Sequence, residues 1–500
     1  MLRFLNLINK KHDKFKANIK NISWLFFVIF FVATIFLCFA YFYDDIQVKI
    51  KKNIILQSIT IPSFPNRTCD ISDYGASNDL KTLNTKAIND AIGDCAEHGG
   101  GTVYVPNGQW LSGAIHFKSN INLHLEDGAE IIFSTKKEDY LPVVFSRYQG
   151  IELMNYSPLI YALNCKNIAI TGKGKLIGNG VGFRNDNDLG GNDVKRQTLL
   201  NMVNNNVPVE QRIFGNNSAG FPPSFIQFIN CQDALIEDVY IENGPFWTVH
   251  PIYCDSFTIR NTNINTFKGN TDGIVIDSSR NVLVENNSII SDDDAIALKS
   301  GLERDGWMIN KSTEQIIIRN NTVNNGHSGV AIGSEMSGSV RNIFIENNQF
   351  NSVDTGIRIK SLPGRGGVVE KIYIDHLNIT DVNTAIYFTM DYSPKFFSVI
   401  TPLPEFREIF FSNLDVQNTD RFISINGLSN ENKIHTISID KSKISTTRGV
   451  SISNATNIKI TDTILYVKKG PESSMDNIAN IQFEQVMWQV PHILDTYSVK

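Results

Sequence analysis

Residues 271–299 read TDGIVIDSSRNVLVENNSIISDDDAIALK. Two apolar-x-apolar cores, Ile274-Val275-Ile276 and Ile296-Ala297-Leu298, flank a core of a second kind, Val282-Leu283-Val284. Alternation with period two marks strands. The first kind recurs as Val330-Ala331-Ile332, Ile357-Arg358-Ile359, Ile386-Tyr387-Phe388, Ile423-Ser424-Ile425 and Val450-Ser451-Ile452. The second recurs as Phe257-Thr258-Ile259, Ile316-Ile317-Ile318, Ile343-Phe344-Ile345, Ile372-Tyr373-Ile374, Ile409-Phe410-Phe411, Ile437-Ser438-Ile439 and Ile458-Lys459-Ile460, at offsets of 21 to 37 residues.

Two interleaved strand columns at this spacing mean an all-β, single-stranded parallel β-helix. Asn261, Asn286, Asn320 and Asn347 each stand two residues past their strand. Asn tolerates the left-handed backbone that a sharp coil corner needs, and stacked Asn side chains can hydrogen-bond to one another. Leucine-rich repeats lack this corner chemistry, and propeller blades need about four strands per 40–45 residues.

Aligning the cores sorts the polar residues into columns. Asp272 lies over Asp294; Thr271, Asp293 and His327 share a second column; Arg358 shares a third with Val275, Ala297 and Ala331. Lys299 falls in the column of Lys360, and Tyr387 follows Arg358 one coil on. In parallel strands about 4.8 Å apart these residues form one carboxylate-rich patch flanked by cations, which is the composition of a hydrolytic site. Arg358 and Lys360 alternate with the inward Ile357 and Ile359, so both point outward.

The chain has 500 residues, 42% of them apolar, enough for a large core. Its net charge is -5, yet nine of the 46 Lys and Arg lie in the first 53 residues against three of the 51 Asp and Glu. The remainder is therefore more acidic than the whole, which argues against nucleic acid as a ligand and calls for a local cation cluster if the substrate is a polyanion. Residues 1–23 read as a basic cytoplasmic segment. The twenty uncharged residues Trp24–Tyr43 are long enough to span a bilayer and longer than the 7–15 residues usual for a cleaved secretory core. They read as one transmembrane signal-anchor with the rest of the chain outside the cytoplasm, periplasmic or extracellular, or secreted if the segment is cut.

Residues 44–68 read as a linker. A capping helix is expected over 85–98, where Ala87, Ile88, Ala91, Ile92 and Cys95 form an apolar stripe that Gly99-Gly100-Gly101 ends. The solenoid domain is expected over 69–490, with 491–500 a tail. Residues 178–222 interrupt the repeat as a polar, Asn- and Gly-rich insertion with a short helix near Gln197–Asn204, a candidate wall of the cleft. Cys69 and Cys95 are a disulfide candidate in an oxidising compartment. Cys165, Cys231 and Cys254 each stand three residues before a strand start and read as a buried column of thiols. No spacing resembles a zinc site, and neither metal nor cofactor is expected.

Taken together, Asn270-Thr271-Asp272, Asp293-Asp294, Gly326-His327 and Arg358-Ile359-Lys360, in that order, resemble the four signatures of the family 28 glycoside hydrolases, the polygalacturonase family. The resemblance runs from about Asp73 to Gln489 and includes Asp73-Tyr74-Gly75-Ala76, Gly99 to Pro106, Pro245 to Pro251 and Ile332 to Gly338. The run Met154 to Ile160 and the 178–222 insertion are more similar to the bacterial and plant exo-acting branch than to the fungal endo branch. Departures are Asp292, Val275-Ile276, Ser328 and Pro222, each where the family usually has another residue.

The resemblance implies the right-handed, pectin-lyase-like form of the solenoid and inverting hydrolysis of α-1,4-galacturonosidic bonds. It implies Asp293 as general acid, Asp272 and Asp294 as the groups that orient and deprotonate water, and His327 beside the acid. Asn270, Arg358, Lys360 and Tyr387 are then the substrate-binding candidates, the cations suiting a uronate carboxylate. Crowded carboxylates raise the pKa of one of their number. The expected partners are a pectic polysaccharide and, through the N-terminal helix, a membrane; the chain is expected to be a monomer. Competing readings are rhamnogalacturonan or xylogalacturonan hydrolysis and, in another class, a non-catalytic carbohydrate-binding β-helix surface protein. A pectate lyase would use calcium and an Arg or Lys base, and would release an unsaturated product.

Overall fold

The structure is a computed structural model describing residues 46–183, 194–215, 220–267, 269–392, 401–429, 431, 433–469 and 473–489. The expected transmembrane segment over Trp24–Tyr43 lies outside these residues. Among the described residues no helix is long and apolar enough to cross a membrane. The chain divides into two compact units, Met1–Gln57 and Ser58–Lys500. Residues 46–58 form a helix, α1, where a linker was expected.

The second unit is a stack of parallel strands whose partners lie one coil apart. Its site-bearing column contains β1 (Ile274–Asp277), β2 (Asp294–Lys299), β3 (Gly326–Gly333), β4 (Val353–Lys360) and β5 (Thr384–Thr389). The register follows the aligned cores: Ile274 pairs with Ile296, Ile296 with Val330, Val330 with Ile357 and Ile357 with Ile386. All five are completely buried. Burying each such side chain contributes about 1.5–3 kcal/mol.

The second column pairs in the same manner, with Phe257, Val282, Ile316 and Ile343 in line. A third column, absent from the sequence reading, is made of very short strands such as Asn263–Asn265, Ser288–Ile290 and Gln349–Asn351. Each contributes one buried residue: Ile264, Ile289 and Phe350.

Asn261, Asn286, Asn320 and Asn347 have the left-handed backbone expected of corners, with φ between 54° and 58°. They do not form the amide ladder, because their side chains are exposed. The ladder is one residue on. Thr262 Oγ1 donates to Asn287 Oδ1 (2.6 Å), Asn287 Nδ2 to Asn321 Oδ1 (2.9 Å) and Asn321 Nδ2 to Asn348 Oδ1 (2.9 Å). The left-handed residue turns the chain so that its successor faces inward, where the buried amides satisfy one another.

Helix α2 (Thr85–Glu97) buries Ala87, Ile88, Ala91, Ile92 and Cys95 and packs on the first strands of the solenoid. Cys69 and Cys95 are neighbours with free, buried thiols rather than a disulfide. Burial and the neighbouring Cys69 push the Cys95 thiol up to about 12. Cys165, Cys231 and Cys254 form the expected buried column.

Helix α3 (Val194–Asn204) lies inside the insertion. With an antiparallel hairpin, Val144–Tyr148 against Ile151–Asn155, and helix α4 (Glu303–Ile309), it covers the outer side of β1 and β2. Leu199, Leu200 and Val203 join Tyr148, Phe221, Trp247, Val275, Ala297 and Leu302 in one buried cluster. This explains why Val275 and Ala297, outward in the column of Arg358, are apolar. A buried ion pair between Arg147 and Asp277 (3.0 Å) fixes the hairpin to the end of β1.

Candidate active site

The five-strand register carries the candidate residues into one place. The backbone N–H of Gly273 bonds to Asp294 O (3.1 Å), which sets Asp272 beside Asp294. Asp294 pairs with Ser328 on β3, so Asp293 falls beside His327. The His327 N–H donates to Asp293 O (2.9 Å). Gly326 allows this approach: its φ is 153°, and a Cβ there would meet Asp293 O at 2.9 Å. Ala331 pairs with Arg358, Gly333 with Lys360 and Arg358 with Tyr387.

The three carboxyl groups occupy different environments. Asp272 and Asp294 have side chains only 3% and 1% exposed, whereas that of Asp293 is 20% exposed. Asp293 accepts backbone N–H bonds from Asn270 (3.2 Å) and Asp294 (2.9 Å), and its Oδ1 lies 3.4 Å from His327 Nδ1. Hydrogen bonding to Asp293 raises the pKa of His327 above its usual value. Asn270 thus meets the site through its backbone, held at a φ of 62°.

Lys360 Nζ donates to Asp294 Oδ2 at 2.8 Å. Burial works against the charge on Asp294, but Lys360, Lys299 and Arg358 outweigh it and hold that carboxyl well below the usual range. Lys360 does point outward, as the alternation requires, yet it is buried. Asp272 goes the other way: burial, then the negative charges of Asp293 and Asp294, push it well above the usual carboxylate range despite Lys299 and Lys360. One carboxyl is thus raised, that of Asp272, by burial first and by the crowding of Asp293 and Asp294 second. Asp292 is exposed and does not join the set.

Arg358 is half-buried, with its guanidinium 5.7 Å from the Tyr387 ring centroid and 5.9 Å from that of Tyr392; Lys360 Nζ lies 5.2 Å from the Tyr392 centroid. Tyr392 escaped the sequence reading because it stands outside the repeat, past the end of β5. Lys299 carries a buried pair that the sequence does not announce. Its Nζ lies 2.9 Å from Glu335 Oε2, 3.9 Å from Asp272 Oδ2 and 4.7 Å from the Trp247 ring centroid. Among the described residues no group of three His, Cys, Asp or Glu side chains is placed to hold a metal ion.

The model for glycosyl hydrolases family 28 matches residues 95–402. The chain is a family 28 glycoside hydrolase. A probable polygalacturonase of Vitis vinifera is 29% identical over 388 residues, 73% of each chain. An exo-poly-alpha-D-galacturonosidase of Dickeya chrysanthemi is 26% identical over 65% of this chain and 58% of its own length. The crystal structure of a hyperthermoactive exopolygalacturonase from Thermotoga maritima matches the hydrolase with a TM-score of 0.75 at 32% identity, covering 88% of this chain and 96% of that one.

Proposed function

We propose that this hydrolase cleaves α-1,4-galacturonosidic bonds of polygalacturonate with inversion, removing sugar from a chain end. One observation carries the reading: of the three clustered carboxyls only Asp293 has an accessible side chain, and its Oδ1 lies 3.4 Å from His327 Nδ1. An acidic chain that gathers Arg358 and Lys360 at this spot suits a uronate substrate. The exo-acting relatives above, and the insertion packed over the outer side of β1 and β2, support attack at a chain end.

In this mechanism the carboxyl set holds one proton as a unit. In the free protein its best seat is Asp272. With a sugar in the cleft the proton moves to Asp293, which alone reaches the glycosidic oxygen. As the bond to the anomeric carbon breaks, Asp293 gives that proton to the leaving oxygen. Asp272, now ionised, takes a proton from the attacking water while Asp294, ionised by Lys360, orients it. The set ends with the one proton it began with. Arg358 and Tyr387 bind the sugar acid. The basic N-terminus and the apolar run Trp24–Tyr43 fit an enzyme anchored in a membrane with its cleft outside the cytoplasm, acting as a monomer.

The test is product analysis on polygalacturonate with chelator present, using the full-length protein beside Asp293→Asn. Saturated galacturonate from wild type, at least 100-fold less from the variant, and an inverted anomer in early proton NMR spectra support the proposal. A retained anomer refutes inversion, and oligomeric early products refute exo action. Release only from branched pectins points to rhamnogalacturonan or xylogalacturonan, and binding without turnover points to a carbohydrate-binding protein.

A further inference from the structure

The two outward lysines of one column treat their carboxylates differently. Lys360 Nζ bonds directly to Asp294 at 2.8 Å. Lys299 Nζ bonds to Glu335 Oε2 at 2.9 Å and to Gly333 O at 3.3 Å, and so stands off from Asp272 at 3.9 Å, beyond hydrogen-bond reach. Glu335 is hydrogen-bonded to Lys299 and also feels the positive charge of Arg365, whose Nε lies 3.9 Å from Glu303 Oε1. Charges therefore alternate along Arg365, Glu335, Lys299 and Asp272. All four side chains are nearly or fully buried, so water screens them little.

We infer that Glu335 is a positioning residue: it holds the Lys299 ammonium away from Asp272, and so lets Asp272 keep the proton that the carboxyl set needs. The groups facing Asp272 are Asp293 and Asp294, which favour its neutral form, and Lys299 and Lys360, which oppose it. Lys360 is engaged with Asp294, so Lys299 is the cation whose distance from Asp272 is adjustable, and Glu335 sets that distance. Direct contact between Lys299 and Asp272 would give two lysine–aspartate pairs and leave no carboxyl with a high proton affinity. Trp247 supplies the other side of the seat, its ring below Lys299 Nζ at 4.7 Å.

This rests on the mechanism proposed above, and two readouts separate their failures. The first is the pH profile of kcat/KM on polygalacturonate, whose basic limb reports loss of the set's proton. Glu335→Gln keeps the shape and the hydrogen-bond acceptor but removes the pull on Lys299. Its basic limb is expected to move to lower pH by about one unit. Lys299→Met removes the cation, and its limb is expected to move to higher pH. The second readout needs no substrate: carbon-13 carboxyl NMR of the full-length protein labelled at aspartate, with the Asp272 signal assigned by its loss in Asp272→Asn. The same opposed shifts are expected there. A basic limb and an Asp272 signal that stay put, or that move in the same direction in both variants, would overturn the inference even if galacturonate is released. Opposed NMR shifts without galacturonate release would support Glu335 as the positioning group and sink the substrate assignment instead.

Discussion

Lys360 reaches Asp294 from two coils away, across a gap of 66 residues, and closes it to 2.8 Å with both side chains buried. Removing one member of such a pair strands a charge in a dry site. Lys360→Met is expected to destabilise the fold by about 3–5 kcal/mol, and Lys360→Met with Asp294→Asn by clearly less. Asp294 is held below the usual carboxyl range and Lys360 above the usual lysine range. The stabilisation is thus complete above about pH 4 for the acid and below about pH 10 for the base. It is lost as pH falls through the lowered Asp294 value or rises through the raised Lys360 value. Denaturant unfolding at pH 3, 7 and 11 checks this.

Asp272 has the opposite sign. Its folded pKa is raised, so the native state holds a proton that the unfolded chain has released, and stability falls as pH climbs from the ordinary carboxyl value to the raised one. Asp272→Asn should abolish turnover while raising Tm at pH 7 by roughly 2 °C. The difference should vanish near pH 3. Calorimetry of both proteins at the two pH values decides it.

The buried amide ladder should matter to folding and not to chemistry. Asn321 accepts from Asn287 N and Nδ2, and its own Nδ2 donates to Val284 O and Asn348 Oδ1. Asn321→Ala leaves several of these groups unmet and should cost about 2–4 kcal/mol. KM should be unchanged. Equilibrium unfolding with steady-state kinetics separates the two effects.

Tyr387 meets Arg358 through its ring face. Under the proposed binding role, Tyr387→Phe should keep kcat/KM within twofold. Tyr387→Ala should lower it about threefold, the worth of an exposed cation–π contact. Arg358→Lys should lose more, because a lysine cannot present a planar fork to a carboxylate.

Much of this was legible in the chain because a coil repeat turns sequence alignment into spatial register. Asp272, Asp293, Asp294, His327, Arg358 and Lys360 meet where the aligned cores place them. The left-handed corner asparagines were legible too, since few residue types accept that backbone. The third strand column was not: one buried residue in a three-residue strand, such as Ile264 or Ile289, carries no periodicity. The ladder was misplaced by one residue because Asn286 and Asn287 look alike in sequence and differ only in which way the corner turns them. The Lys299–Glu335 pair was hidden because the glutamate stands just past β3, where strand alternation no longer says which way a side chain faces. Helix α1 went unread because residues 44–68 show Pro62 and Pro65 more plainly than any stripe.

Successive site strands are joined by connections of very different length. From Asp272 to Asp294 the chain takes 22 residues, and from Asp294 to its partner Ser328 it takes 34, with helix α4 inside the longer path. The spacing of the side chains in the cleft is nevertheless the spacing of the strands. Chain length and site geometry are thereby uncoupled. New segments can be spliced in at the corners, as α3 and α4 are, and reshape the rim without displacing an aspartate. A single residue added inside β2 would do the reverse, turning Lys299 inward and misaligning its contacts while leaving every loop intact.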